Sequence, residues 1–306
     1  MAAISQVRPF ELFDDATWAG LTARSPWRGL ALVAHAWGVI LAANAVAILW
    51  PNPVTILGAI IVIGARQLGL TILMHDAAHG LLHPDTAVNA VVGEYICAAP
   101  VGADLARYRP YHLQHHRFTQ QPEDPDLVLS KPFPTTRASL RRKIIRDLTG
   151  QTFFKQRIGP FLDKTPQANA FIAGAAPALR RFALANLLLL GGYTVLGLAP
   201  WFILLWIVPM ATWLPLVTRI RNIAEHACTS TDNNPYTVAR TTKANALERA
   251  LIAPYNVQYH AEHHLFLAVP CYRLPALHAQ LARLGLTQRM TLADGYRQVL
   301  RHVAPA

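Results

Sequence analysis

Cysteine is scarce in this chain of 306 residues: Cys97, Cys228 and Cys271 stand alone, with no C-x-x-C pair. Their isolation argues against a disulfide framework and against a cysteine-held iron–sulfur cluster. Charge is scarce as well. Asp, Glu, Lys and Arg make up 15% of the residues, against roughly 25% in an average soluble domain. Two stretches, Gly29 to Ala65 and Phe182 to Thr218, contain none of them. Each is long enough for two spans of about 20 residues, and neither could face water on a soluble protein. Acids are fewest, 17 against 28 basic residues, for a net charge of +11. No zinc-finger spacing accompanies that excess, and the basic residues lie outside the apolar runs, as the positive-inside rule expects. The excess therefore suits an anionic membrane surface, and no nucleic-acid partner is expected.

What is present falls into an order along the chain. Residues 1–28 carry Glu11, Asp14 and Asp15 and lack an apolar core with a cleavage site, so they read as a short cytosolic leader and not a signal peptide. Hydropathy places spans at about 30–50, 54–74, 182–198 and 201–218, with turns at Pro51-Asn52-Pro53 and near Pro200. Both turns lack Lys and Arg, whereas the flanking segments contain them. The turns should then face away from the cytosol, and both termini toward it. Ala87 to Val101 is apolar but short, which suits a re-entrant or interfacial helix. Arg66 is the one charge inside a span and must snorkel or pair. Lys131 to Arg157 holds eight basic residues and Asp147, with Leu140, Ile144, Ile145 and Leu148 at helical spacing. It reads as an amphipathic helix, either on anionic lipid or packed on the protein. Leu274 to Ala306 reads as two short helices, the second capped by Thr291. The expected architecture is an all-α integral membrane protein, one domain over 1–306. Four transmembrane helices form two hairpins, and a cytosolic helical cap is drawn from 75–181 and 219–306.

Eight of the thirteen histidines fall in three clusters: His75 and His79; His112, His115 and His116; His260, His263 and His264. Residues three and four apart share a helix face, so each cluster can aim its rings at one point. Imidazole is the commonest side-chain ligand for iron, zinc and copper. Eight of them exceed what one four-coordinate zinc takes and suit two ions of higher coordination. The clusters begin where the spans end. His35, His278 and His302 read as structural or solvent-exposed, and His83, followed by Pro84, as a loop residue.

The motifs His75-Asp76-Ala77-Ala78-His79, His112-Leu113-Gln114-His115-His116 and His260-Ala261-Glu262-His263-His264 resemble the three histidine boxes of membrane fatty acid desaturases. The run Val269-Pro270-Cys271-Tyr272-Arg273-Leu274-Pro275 is similar to that family too, while Leu267 stands where many relatives have proline. The likeness runs roughly from Leu70 to His278. It implies a four-helix stem, a cytosolic cap and two iron ions (Fe2+/Fe3+) with O2 as co-substrate. It also implies a further ligand after the fourth span, where Asn222 and His226 stand four apart; in acyl-CoA desaturases such an Asn reaches iron through water.

Taking hydrogen from an unactivated C–H bond needs an oxidant made from O2, beyond any side chain. Ligating histidines usually give their other N–H to a carboxylate or carbonyl, and Asp76, Asp124, Asp126, Glu225 and Glu262 are near enough in sequence. Arg107, Arg109 and the Lys131–Arg157 stretch could hold an anionic head group. The expected reaction is desaturation of a fatty acyl chain. A hydroxylase or ketolase acting on a carotenoid or another lipid shares its first step, and a non-catalytic metal binder or transporter is the rival from another class. No flavin or nicotinamide glycine fingerprint and no His-Pro-Gly-Gly of a cytochrome b5 is present. Electrons are thus expected from a separate ferredoxin, rubredoxin or cytochrome b5. Arginine far outnumbers lysine in an alanine-rich chain, which points to a bacterial inner membrane.

Overall fold

The computed structural model describes residues 3–163 and 165–305. Met1, Ala2, Lys164 and Ala306, which fall within the expected leader and cap, lie outside the described residues. Helix α1 is Asp15–Thr22, capped by Asp14. Helices α2 (Arg28–Leu49) and α3 (Pro53–Ala78) form the first hairpin. Its turn is set by Asn52, whose side chain accepts from the N–H groups of Val54 and Thr55, and by Pro53 at the first helical position. Helix α4, Thr86–Val101, contains a wide-turned stretch at Val92–Ala98. Then come α5 (Leu105–Phe118), α6 (Arg137–Leu148) and α7 (151–162). The second hairpin pairs α8 (Pro166–Val195) with α9 (Ala199–His226). After it lie a short strand β1 (Arg240–Thr242), α10 (Ala246–Leu251), α11 (His260–Leu265), α12 (Leu274–Arg283), strand β2 (Thr291–Ala293) and α13 (Tyr296–Val303).

Helices α2, α3, α8 and α9 are long and apolar enough to cross a membrane. They overlap the four expected spans, but three of them run on past the apolar windows. Helix α3 continues beyond Met74 to carry His75, α9 continues beyond Thr218 to His226, and α8 starts at Pro166, well before Phe182. Hydropathy marks the part that lipid would cover, whereas backbone hydrogen bonding carries a helix on into a polar cap.

Helix α3 is the central pillar. Every residue from Ile63 to Ala78 except Thr71 is buried. Glycine allows two of its closest contacts: a Cβ on Gly64 would stand 2.6 Å from Trp213 Cβ, and one on Gly69 would stand 2.6 Å from the Tyr255 ring. Small residues at such crossings are how helices in lipid approach closely. Polar side chains tie the stem together. Gln67 donates to the Trp206 carbonyl at 2.9 Å, and Trp206 Nε1 donates to Asn186 at 2.8 Å. Helix α8, by contrast, leaves Leu184, Leu187 and Leu188 exposed, as a helix facing lipid does.

Arg66 pairs outside its own hairpin. It donates to the Ala250 carbonyl and lies over the Tyr255 ring, 5.5 Å from the centroid. The same tyrosine's hydroxyl lies 3.2 Å from His35 Nδ1, so one side chain of the C-terminal region is gripped by both helices of the first hairpin. Tyr255 has φ 56° and Asn256 φ 63°, a left-handed pair that a bulky residue adopts only when its surroundings hold it there.

The expected amphipathic helix is α6, and its apolar face packs on the protein: Leu140 is buried and Ile144 half-buried, although Ile145 and Leu148 are exposed. Its Asp147, fully buried, takes Arg219 Nη2 of α9 at 2.8 Å and the Thr152 hydroxyl at 2.5 Å. Thr291 does not cap a helix. It opens β2, which pairs in parallel with β1 in the register Arg240↔Thr291 and Thr242↔Ala293, and α13 starts five residues later without a side-chain cap. Three-residue strands carry too little alternation to be legible in sequence. We predict that Asp147→Ala, which strips a buried partner from Arg219, destabilises the cap by about 3 kcal/mol. Thermal melting in detergent should show the drop, and Asp147→Asn with Arg219→Met should recover part of it.

Candidate metal centre

The histidines arrive on four helices. His75 lies in the last turn of α3 and His79 is its C-cap; α5 carries His112, His115 and His116; α9 ends in His226; α11 carries His260, His263 and His264. They converge as two groups in which one ring nitrogen per residue lies within 4.8 Å of all the others. The first group is His75, His79, His112, His116 and His263; the second is His115, His226, His260 and His264. Helix geometry explains the division. Members of an i, i+4 pair look the same way, so His112 with His116, and His260 with His264, each stay in one group. The histidine at i+3 in each helix, His115 or His263, turns to the other, so each three-histidine cluster serves two points and not the single one expected from its spacing. The groups adjoin, with the rings of His116 and His264 4.2 Å apart.

In the second group the outer ring nitrogens are held by protein. His115 Nδ1 lies 2.8 Å from Asp124, His260 Nδ1 3.4 Å from Glu225, and His226 Nδ1 3.2 Å from the Val238 carbonyl. His264 Nδ1 is 3.3 Å from Thr119 Oγ1, whose own proton goes to the His115 carbonyl. These oxygens accept, so each Nδ1 keeps the proton and each Nε2 presents a bare lone pair inward. Yet the inward nitrogens sit at contact distance: His226 to His260 at 2.8 Å, His260 to His264 at 3.0 Å, His115 to His226 at 3.2 Å. In the first group His112 and His116 are 2.8 Å apart at Nε2, and His116 and His263 3.1 Å. Lone pairs facing one another repel. A cation between them removes the conflict, since nitrogens about 2.1 Å from one ion are about 3 Å from each other. His75 Nε2 and His79 Nε2 are buried without a hydrogen-bond partner among the described residues, which a bound ion would satisfy. Burial, and then the neighbouring imidazoles, hold His112, His116, His260, His263 and His264 well below the ordinary histidine range. They are therefore neutral at pH 7, the form that binds metal. The donor set fits two metal ions.

Of the ten expected site residues, nine fall in the two groups. Asn222 is the tenth; it stands one turn before His226 and lines the cavity that both groups face. The five acids divide. Asp124 and Glu225 brace histidines, and Asp126 lies 3.8 Å from His115 while accepting the Tyr111 hydroxyl at 2.5 Å. Asp76 instead accepts from the Cys271 backbone at 3.0 Å, joining the first histidine segment to the chain after the third. Glu262 is fully buried and takes the Thr241 hydroxyl and the His278 ring. His278 is thus engaged rather than solvent-exposed, because α12 folds back onto α11. His302 is exposed, and His83 Nδ1 accepts from the Asp85 backbone at 3.0 Å, outside both groups. Arg109 donates to the Ala77 carbonyl at 3.0 Å and so closes the end of α3. Thr119 and the Val238 carbonyl were not foreseen. Thr119 follows His115 by four, a legible clue, but a carbonyl leaves no mark on sequence.

The fatty acid desaturase family model matches residues 51–294. The chain belongs to that family. Among curated proteins, the dihydrorhizobitoxine desaturase of Bradyrhizobium elkanii is 32% identical over 229 residues, which cover 71% of this chain and 64% of that protein. The chain thus spans under two thirds of that relative's length. The family match takes in three of the four apolar helices and every histidine of both groups, and this member is a membrane protein.

One cavity faces the centre and a second adjoins it. The first, about 380 Å³, is walled by His75, His112, His115, His226 and His260 and by Tyr108, whose ring stacks on His112 at 4.9 Å. The rest of its lining is mixed, including Arg221, Asn222, Asp126, Met210 and Leu214. The second, about 520 Å³, lies between α7 and α8 among Phe161, Phe171, Ile172, Leu179 and Phe182. Phe153, Gln156 and Arg157 line both. Loss of one imidazole from either group, as in His79→Ala, His263→Ala or His115→Ala, should lower bound metal measured by inductively coupled plasma mass spectrometry. Asp124→Asn should weaken metal affinity about 10–100-fold. His35→Ala, at a ring that belongs to neither group and lies 3.2 Å from the Tyr255 hydroxyl, should leave metal content unchanged.

Proposed function

We propose that the protein is an O2-dependent di-iron oxidoreductase that introduces a double bond into a fatty acyl chain. The observation that carries this reading is the convergence of nine imidazoles into two adjoining groups beside a cavity that shares Phe153, Gln156 and Arg157 with an apolar one. His75, His79, His112, His116 and His263 would hold one iron. His115, His226, His260 and His264 would hold the other, with Asn222 beside it. Iron so held supplies, with O2, the oxidising power that no side chain has. The reaction balances as –CH2–CH2– + O2 + 2 e⁻ + 2 H⁺ → –CH=CH– + 2 H2O, so two electrons come from outside the substrate.

The chain's own residues position the partners of that reaction. Asp124, Glu225, Thr119 and the Val238 carbonyl fix four imidazoles by their outer nitrogens, which holds the rings in one tautomer. Tyr108 covers His112 and shields it from water. The mixed cavity next to the histidines is where the reacting –CH2–CH2– segment would lie, and the apolar cavity between α7 and α8 suits the hydrocarbon beyond it. The Lys- and Arg-free turns near Pro51 and Pro200 support a cytosolic position for the cap and the histidines, in a bacterial inner membrane. A separate protein must supply the electrons.

Lipid analysis of an expressing host by mass spectrometry, wild type against His263→Ala, tests the reading. Products two mass units lighter, present only with wild type, are expected. Products sixteen units heavier, or fourteen for a ketone, would move the assignment to a hydroxylase or ketolase. Ala175→Trp, which fills the apolar cavity, should cut turnover of long chains at least tenfold while metal content stays at the wild-type level. Equal turnover would place the chain elsewhere.

A further inference from the structure

Away from the metal centre, helices α6 and α13 lie side by side and enclose an open groove of about 480 Å³. Arg137 and Arg141 line one wall, Arg297 and Arg301 the other, and Leu140, Ile144 and Leu300 form the floor. All four arginines are exposed, and none joins an ion pair among the described residues, whereas Arg181, Arg219 and Arg221 all do. Each wall presents its two arginines at i, i+4, a like-charge spacing that costs a helix a few tenths of a kcal/mol. Two such pairs facing each other without an acid are a standing cost to the fold, and a partner of opposite charge would turn it into binding energy. An apolar floor inside a charged rim is also the anatomy of a protein interface.

The groove's position narrows the partner. Both walls rest on α9: α6 through Asp147 and Arg219, and α13 by packing, with Tyr296 buried. Glu225 of α9 lies 3.4 Å from the His260 ring. One helix therefore separates the groove from the second histidine group. We propose that the groove is the docking surface for a small acidic one-electron carrier protein, which passes electrons across α9 toward that group. The proposal rests on the oxidoreductase reading above. Each turnover takes two deliveries; two carriers are oxidised by one electron each, and the pair of electrons joins the pair from the C–H bonds in reducing O2 to water. Charge complementarity of this kind sets association rate and salt dependence.

The test uses the full-length protein in detergent and an oxidised, acidic [2Fe–2S] ferredoxin as probe, with basic cytochrome c as its opposite in charge. Binding is read by microscale thermophoresis from 20 to about 300 mM salt, a range over which screening of exposed charges becomes strong. Ferredoxin should bind wild type with an affinity that falls steeply with salt, and cytochrome c should not bind. Arg141→Glu with Arg297→Glu should weaken oxidised ferredoxin at least tenfold and, when the ferredoxin is first reduced with dithionite, slow its re-oxidation in stopped flow by a similar factor. Circular dichroism and metal content should match wild type, and Arg283→Glu, at an exposed arginine outside the groove, should change nothing. Ferredoxin affinity equal in wild type and the double variant would overturn the proposal. So would phosphatidylglycerol that co-purifies with wild type and is lost from the variant while ferredoxin binding stays, since the groove would then hold lipid head groups. Binding of the oxidised probe needs no turnover, so a failure here is separable from a failure to form unsaturated lipid.

Discussion

Nine imidazoles brought together out of water need positive charge at two points, and the rest of the structure is arranged around meeting that need. Neutral rings with bare nitrogens 2.8 to 3.2 Å apart are stable neighbours only when something shares their lone pairs. Burial keeps them from protonating, so protons cannot serve instead. The same burial that makes the site costly without an ion makes it selective for one. A charge-poor stem and a cap rich in hydrogen bonds follow from this: the stem fixes where the helices end, and the cap fixes how the rings turn.

The two groups are coupled by their helices. Helix α5 gives two histidines to the first group and one to the second, and α11 does the reverse. Neither helix can move to suit one group without disturbing the other. The outer nitrogens show a difference between the groups. Those of the second are held by Asp124, Glu225, Val238 and Thr119, whereas His112 and His116 Nδ1 in the first are buried without a hydrogen-bond partner. The second group is therefore the more rigidly oriented one, and the first relies on the ends of α3 and α5 packing around it.

Much of this was legible in the sequence, for physical reasons. Uncharged runs can be recognised because lipid tolerates little else, so the four apolar helices were visible. Histidines three and four apart declare a shared helical face, and nine of ten named residues do come together. Legibility ended where partners come from far along the chain. Nothing in the local sequence around Arg66 points to Tyr255, and nothing around His226 points to the Val238 carbonyl. Glu262 sits inside the third histidine motif, as though placed to brace a histidine there, yet it binds His278 and Thr241 because α11 turns it away from the rings. The strand pair β1–β2 was invisible for the same reason: its register is set by the chains that bracket it, not by three residues of pattern. The span boundaries were short because hydropathy ends with the lipid, while a helix ends where its hydrogen bonds do.

That last point bears on how the site is coupled to the stem. Helix α9 carries a wide-turned stretch at Ile203–Ile207 and an irregular residue at Thr212, then runs as regular helix from Trp213 to His226, and the successive turns of that last run meet different neighbours. Trp213 packs against Gly64 in the pillar, Arg219 reaches Asp147 in α6, Arg221 holds Glu225 at 2.6 Å, and Glu225 reaches His260. Arg221, Asn222 and Glu225 share the face that lines the first cavity. A break between span and cap would leave those residues on a loop, free to drift by more than the few tenths of an ångström that metal coordination tolerates. Continuity of the helix from Trp213 to His226 therefore helps position the second histidine group alongside its hydrogen bonds. Within that run the packing of Trp213 on the pillar and the position of His226 are a single variable, since a regular helix that shifts at one end shifts at the other.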